Sequence, residues 1–528
     1  MKLVIDNIIL FPGQDVGAIH ESPLPAAIKE RYGIDFDFDC TVLRKSLDAR
    51  NKQRIVYRYR VAIEVPDDKA AVLLQDNDIS VYKAVEFPVI VKRDMKDTVL
   101  IVGAGPAGLF CALRLIEAGC RVEIFERGKR VEERMKDIEI LEKSGILNEQ
   151  SNVLFGEGGA GAYSDGKLVT RTGRPEIAWL FDKLVELGAP SSILYDAKPH
   201  VGTDRLRVIV RNIRQKILES GSLIRFNESV EDIIIHNGAV AGIVTSKGNE
   251  LAGSRLVLAA GHSSRDTYAL LREKGIALEK KGFAVGVRIE HPAELINAIQ
   301  YGDSPFREIL PAADYRLSFN NRATGRGVYS FCMCPGGRVI NSSSESGLLC
   351  VNGMSPSRRN LPFSSSAIVV TVAPEDYDHD AAGGIAFQRM IEQKAFTEGG
   401  GRFTAPAQRV TCFLQGRIDP DLPPVSYLPG VRPADLRAFL PDWIADELAL
   451  GLRHFGAVMK GFITDQSVLI GAETRTSSPV RVTRGADLQS VSVKGLFPVG
   501  EGAGYAGGIV SSAVDGIRCA DVILTSVE

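Results

Sequence analysis

Between Asp97 and Gly128 the chain reads DTVLIVGAGPAGLFCALRLIEAGCRVEIFERG. An apolar run meets a glycine turn, a helical stretch follows, and a second apolar run ends on an acid. Few folds accept that order. Gly103 permits a tight turn after the first strand, Gly105 lets an anion approach the backbone, and Gly108 lets the helix pack close on the strand. Pro106 and Ala107 belong to the same turn. Amides at the helix start, with the positive end of the helix dipole, hold phosphates. Glu126 ends the second strand, about 20 residues past the turn, where a carboxylate accepts hydrogen bonds from a ribose diol. Arg127 adjoins it. The stretch predicts a Rossmann-like α/β unit that grips a dinucleotide.

The turn alone does not choose between FAD and NAD. The far end of the chain does. GLFPVGEGAGYAGGIVSSAVDGIRCADVI, residues 495–523, repeats the device of apolar strand, small residues and helix. FAD is long enough to need such a second anchor. Gly500 and Glu501 follow the strand, and Glu501 is placed to bond ribityl hydroxyls or a water. The amides of Gly507, Gly508 and Ile509 are predicted to point at the flavin pyrimidine edge, where a helix start stabilises the charge of the reduced ring. A third stretch, FGEGGAGAYSDGKLVTR over 155–171, crowds Gly156, Gly158, Gly159 and Gly161 around Ala160. Backbone so free of side chains suits a flat ligand. Tyr163, Ser164, Asp165 and Lys167 then supply polar groups.

Domain organisation follows from the periodicities. Residues 1–95 read as strand, helix, two strands, helix, strand, the order of a ferredoxin-like α+β domain. Residues 96–275 and 470–528 form the cofactor domain, and residues 276–469 a mixed α+β substrate domain. A charged link, VIVKRDMKD, joins the first two and is expected to be exposed. The net charge of −2 gives no global attraction to nucleic acid. Eight cysteines are scattered along a chain whose start lacks the marks of a secretory leader, so a reduced, cytoplasmic setting is expected. No segment offers an unbroken membrane span.

With VGAGPAGLF, GGAGAYSDGKL, YSFCMCPGGRVI, VNGMS, ETRTSSPVRV and GEGAGYAGGIVSSAVDGI in order, the sequence resembles the bacterial FAD-dependent dehydrogenases of unassigned substrate. These place a small N-terminal domain before a glutathione-reductase-type FAD domain. The resemblance covers nearly the whole chain. It implies FAD held without a covalent bond in an extended pose. It further implies that Arg134 reaches the pyrophosphate, that the Val230 backbone meets the adenine, and that Ala260 and Gly261 line the dinucleotide. Many relatives carry Asp where this chain has Glu501.

The chemistry expected is an FAD-dependent oxidoreductase that moves hydride through flavin N5 to or from a small organic substrate. A flavin monooxygenase is the nearest enzymatic rival, and a flavin-bearing RNA- or protein-binding module the rival of another class. No second glycine fingerprint with a following acid is present, so NAD(P)H would bind only transiently. Lys167 is placed to stabilise the reduced ring. Arg475 offers its forked donors to a substrate carboxylate, or to Glu473 or another acid as an ion pair. Cys332 and Cys334 form C-x-C in a strand, where alternation puts both thiols on one side for redox exchange or simple packing. The seven histidines show no metal spacing, and no metal is expected. Arg44, Lys45, Arg50, Lys52, Arg54, Arg58 and Arg60 gather on a hairpin, read first as a solvated strand face and otherwise as a site for an acidic electron-transfer partner or RNA, although no RNP-type aromatic motif accompanies it.

Overall fold

Val99–Val102 is buried at every residue, as expected of a parallel strand covered on both faces. It is the middle of a five-stranded sheet with spatial order Leu496–Pro498, Leu256–Leu258, Val99–Val102, Val122–Glu126, Leu223–Phe226. All four pairings are parallel. Strand order reverses at Val99–Val102, since its sequence successor Val122–Glu126 lies on one side and the later Leu256–Leu258 on the other. In open α/β sheets that reversal opens a crevice at the carboxyl ends of the strands, where ligands bind. The structure, a computed structural model, describes residues 1–528 except 15–22, 85–86, 88–89, 91, 93–96, 170–173, 379 and 527–528. Most of the charged link therefore lies outside the described residues, as do Thr170 and Arg171 of the third glycine stretch.

The glycines do what their spacing asks. Gly103 has φ +100°, and a Cβ there would stand 2.4 Å from the Ala259 carbonyl oxygen. A Cβ on Gly108 would stand 2.1 Å from the Gly103 carbonyl oxygen. The helix Pro106–Glu117 begins with Pro just inside its first turn. It packs against the C-terminal helix Ile509–Thr525, whose Gly516 meets Ala107. An antiparallel meander, Val230–His236, Ala239–Thr245 and Glu250–Ala252, completes this half.

The largest sheet has eight strands. Its order is Ser318–Asn320, Gly327–Asn341, Phe363–Val372, Phe283–Pro292, Val468–Glu473, Ala405–Arg409, Val431–Pro433, with Val351–Met354 paired to Gly327–Asn341. The helix Asp442–Val458 covers it, burying Leu448, Leu452 and Phe455 against Val328 and Phe462 in the largest apolar core.

At the N-terminus four antiparallel strands lie in the order Cys40–Asp48, Val56–Glu64, Lys2–Leu10, Ile79–Val81. Helices Leu24–Tyr32 and Asp67–Leu73 fall between them in sequence as expected. This unit docks by backbone hydrogen bonds. Lys45 N donates to Tyr195 O at 2.7 Å, and Ala197 N to Lys45 O at 2.8 Å. The basic hairpin is partly neutralised by acids of its own unit. Asp48 accepts from Arg50 at 2.7 Å and Arg58 at 2.9 Å, Arg60 lies 3.3 Å from Asp6, and Lys52 Nζ donates to Ile299 O.

The contact between Gly516 and Ala107 admits a direct test. A Cβ on Gly516 would stand 2.1 Å from the Ala107 carbonyl oxygen, a backbone atom with nowhere to retreat. Gly516→Ala should therefore destabilise the protein by on the order of 2–3 kcal/mol, read as a lower denaturant midpoint at unchanged slope.

Candidate active site

The crevice at the sheet's carboxyl edge is a cavity of about 640 Å³. Its walls come from the three glycine stretches found in the sequence, from Val230, and from Ala260 and Gly261. They interlock through missing side chains. A Cβ on Gly159 would stand 3.1 Å from Gly105 Cα, and one on Gly161 would stand 3.2 Å from Ile509 Cγ1. Gly105, Gly261, Gly507 and Gly508 face open space instead: a Cβ on Gly105 would meet nothing nearer than 3.9 Å, and the other three nothing within 4 Å. The cavity is thus bare backbone where a long ligand must lie close.

At the dinucleotide end Gly103, Gly105, Pro106, Ala107, Glu126 and Arg127 line the wall. Gly108 is withdrawn into the helix–strand contact. Glu126 does more than wait for a ribose. Its carboxylate accepts from Ala104 N at 2.8 Å, Gly128 N at 2.9 Å and Gly156 N at 3.0 Å, so it ties the first glycine turn to the third stretch. Arg127 pairs with Asp266 at 2.8 Å.

Arg134 is a correction. It is fully buried and does not line the cavity. Its guanidinium donates to the carbonyls of Asn152, Val153, Gly156 and Glu157. A side chain whose donors serve four carbonyls holds the glycine loop in shape and does not reach for a phosphate. The expected row of three amides at the C-terminal helix start is also shortened, because Gly507 N donates to Ser511 Oγ at 3.1 Å. Gly508 and Ile509 keep the helix-start position. Asp515, one helical stretch further, accepts from Gly500 N at 2.8 Å and pairs with Arg484 at 2.7 Å.

At the opposite end the wall turns polar, with Ser164, Asp165, Lys167, His262, Cys332, Asn352 and Arg475. Asp165 is buried between Lys167, at 3.0 Å, and Arg359. Burial raises its pKa, but those two cations outweigh it and hold the carboxyl low. Burial pulls Lys167 down, yet Asp165 and the two thiols of Cys334 and Cys332 leave it raised. Lys167 Nζ also donates to Met333 O. Ser164 turns inward, its hydroxyl donating to Gly161 O at 2.8 Å.

Arg475 keeps the ion-pair alternative, with a different acid. Its Nε and Nη2 donate to Glu392 at 3.0 and 2.9 Å, and its Nη1 to Ser344 Oγ at 2.6 Å. Arg265 donates to the same carboxylate at 2.9 Å. The fork is occupied, so Arg475 positions the wall and is not a free carboxylate receptor. Glu473 pairs with Arg288 at 2.8 Å. The C-x-C alternation also fails. Pairing with Phe363–Val372 shifts register between Phe331 and Cys334, and Cys332 has φ +44°. Cys332 therefore faces the cavity while Cys334 is buried behind it.

Sequence reasoning missed His262, Asn352, the Arg265–Glu392 pair that Arg475 joins, and Arg288 as the partner of Glu473. The trace it offered is Gln388 with Glu392, a polar pair one helical turn apart on the buried face of Gly383–Glu398. Burial, then the nearby Arg475 and Arg265, push the His262 imidazole down to about 3, so it is neutral at pH 7.

Residues 282–476 match the family described as FAD-dependent protein, C-terminal domain-like, and residues 101–148 match the NAD(P)-binding Rossmann-like domain. An uncharacterized protein of Clostridium beijerinckii is 44% identical over 489 residues, 92% of each chain. The chain belongs to this FAD-dependent protein family. A thiamine thiazole synthase of Aeropyrum pernix is 29% identical over 156 residues, 29% of this chain and 46% of that one. The solved flavin-dependent brominase Bmp2 aligns over 82% of this chain and 80% of its own at 14% identity and a TM-score of 0.37.

FAD is the cofactor, and the protein is an FAD-dependent enzyme. The residues fit it. The bare backbone at Gly105, Gly261, Gly507 and Gly508 leaves a continuous channel between two helix starts, and Glu501 stands between them. Among the described residues no helix is long and apolar enough to cross a membrane.

Glu501 yields a pH prediction. Burial pushes its carboxyl up from 4.5 to about 7, and the Lys281 ammonium offsets part of that. A folded pKa above the unfolded one means stability that is complete below the unfolded value and lost as pH rises through the folded one. Between about pH 4.5 and 7 the apoprotein should weaken, and Glu501→Gln should not share that part of the loss. Thermal unfolding of the two apoproteins should agree near pH 4, with the variant more stable at pH 8 by on the order of 1 kcal/mol.

Proposed function

We propose that this enzyme exchanges hydride between FAD and a small organic substrate bound at the polar end of the cavity. One observation carries the reading. A single cavity runs from the dinucleotide turn at Gly105 past Glu501 to Lys167, Cys332 and Asn352, with no wall between cofactor and substrate ends. FAD supplies two-electron chemistry at ring nitrogen N5. The chain's own groups bind and orient. Lys167, held cationic by Asp165, puts positive charge at that end, where charge develops on the reduced ring. Neutral His262 supplies one donor and one acceptor. The Glu392 carboxylate, clamped by Arg265 and Arg475, fixes the wall behind them.

The same reading assigns the five-stranded parallel sheet to a glutathione-reductase-type FAD domain, residues 96–275 and 470–528. It assigns residues 276–469 to the substrate domain. The N-terminal unit, 1–95, is read as ferredoxin-like, supported by its strand order with an edge hairpin. NAD(P)H is a transient visitor, an electron-transfer protein is a possible second redox partner, and membrane and nucleic acid are not partners. The eight free cysteines support a cytoplasmic setting.

The test is anaerobic. FAD-loaded enzyme is mixed with NADH, NADPH and panels of small amines, hydroxy acids and enones, before or after photoreduction. Bleaching or recovery of the flavin band by one class, with a dehydrogenated or reduced product, is expected. Hydroxylated product formed only with oxygen and NAD(P)H would replace this reading with a monooxygenase.

A further inference from the structure

Beyond the residues used for hydride exchange, the cavity wall carries a pair of free cysteines. Cys332 lines it, and Cys334 is completely buried behind it. The Cys334 thiol donates to the Cys332 carbonyl oxygen at 3.3 Å, which folds the two residues back on each other. The backbone is shaped around them. Strand pairing slips on both sides of Cys334, and Cys332 takes a left-handed φ of +44° that a non-glycine residue rarely adopts. This bulge replaces the alternation that would space the two side chains along a flat strand.

Cations surround the pair. The buried Arg288 donates to Cys334 Sγ at 3.4 Å and to Cys332 O at 2.6 Å, while its Nη1 holds Glu473 at 2.8 Å. Lys167 stands on the cavity side and donates to Met333 O, the residue between the two cysteines. The hydrogen bond from Cys334, then Lys167 and Arg288, hold the Cys332 thiol well below its ordinary pKa against the opposing effect of burial. That same hydrogen bond and burial push Cys334 up. Two thiols held together beside fixed cations, which favour the thiolate form of the one at the cavity, are a setting from which disulfides form and are reduced. Cys332 and Glu501 line the same cavity, which puts the sulfur beside the channel assigned to the flavin.

We propose that Cys332 and Cys334 form a reversible dithiol/disulfide couple that exchanges two electrons with the bound FAD. In the oxidising direction the proton on Cys334 is released and one S–S bond forms. Two electrons pass to FAD, together with one proton at its N5. The reverse step breaks the S–S bond, returns the electron pair and re-protonates Cys334. The proposal rests on the flavin lying in this cavity but not on any organic substrate.

The test counts electrons and sulfurs. FAD-loaded wild type, Cys332→Ser and Cys334→Ser are treated with diamide, desalted and titrated with dithionite without air. Wild type should take up two more electrons per FAD than either variant. In parallel, wild-type apoprotein oxidised with diamide, with or without later reduction by dithiothreitol, is denatured and trapped with maleimide, and peptide mass measurement should find an internal 332–334 disulfide in the first sample and two alkylated thiols in the second. Equal electron uptake in all three proteins overturns the proposal, and so does a disulfide that forms without adding to the wild-type count. If a serine variant does not hold FAD, wild type alone decides, by uptake of two electrons or four per flavin. Failure of every organic substrate would sink the hydride reading and leave this count standing. A count of two would sink the couple and leave the hydride reading standing.

Discussion

Helix Pro106–Glu117 and helix Ile509–Thr525 touch backbone to backbone, at a point where Gly516 lies against the Ala107 carbonyl. Gly500, ahead of the second helix, packs on the same residue. A Cβ on Gly500 would stand 2.8 Å from the Ala107 Cβ. Because these segments lack side chains where they meet, the two helix starts converge on one crevice although about four hundred residues separate them in sequence. Helix starts carry unsatisfied amides and partial positive charge, so their convergence creates a site for a ligand with an anionic middle and an electron-accepting end. The rest of the cofactor half maintains that convergence. Glu126 gathers three loop amides, Arg134 gathers four loop carbonyls, and Asp515 ties Gly500 to Arg484.

The reaction end follows a different logic. Its charged groups are buried in compensated sets: Asp165 with Lys167 and Arg359, Glu392 with Arg265 and Arg475, Glu473 with Arg288. A buried charge without a partner would cost several kcal/mol, whereas paired ones fix geometry at modest net energy. Pairing consumes donors, which is why Arg475 is a support for the wall. Lys167 differs because one ion pair leaves it cationic and facing the cavity.

Much of the cofactor site was legible because its signals are local. Gly103, Gly105 and Gly108 report backbone needs within six residues, and the run Val122–Glu126 reports a buried strand by its composition alone. The N-terminal strand and helix order was legible for the same reason, since each element carries its own period. Long-range partners were not. Nothing near Arg475 in sequence names Glu392, 83 residues earlier on a helix in another layer. Arg134 misled because a buried arginine and a phosphate-binding arginine look alike until its acceptors are known. The C-x-C spacing misled in a related way. Alternation holds for a regular strand, and the bulge at Cys332 is imposed by pairing with Phe363–Val372.

If one FAD spans both helix starts, ligand length must separate them. ADP reaches only the first anchor and FAD reaches both. Gly508 sits at φ +139°, which side chains avoid, with nothing within 4 Å of a Cβ placed there. Calorimetric titration of the apoprotein and of Gly508→Ala with each ligand separates the two anchors. In Gly508→Ala, FAD affinity should fall on the order of tenfold, about 1.4 kcal/mol, with ADP affinity unchanged. Equal loss for both ligands, or no loss for FAD, would contradict it.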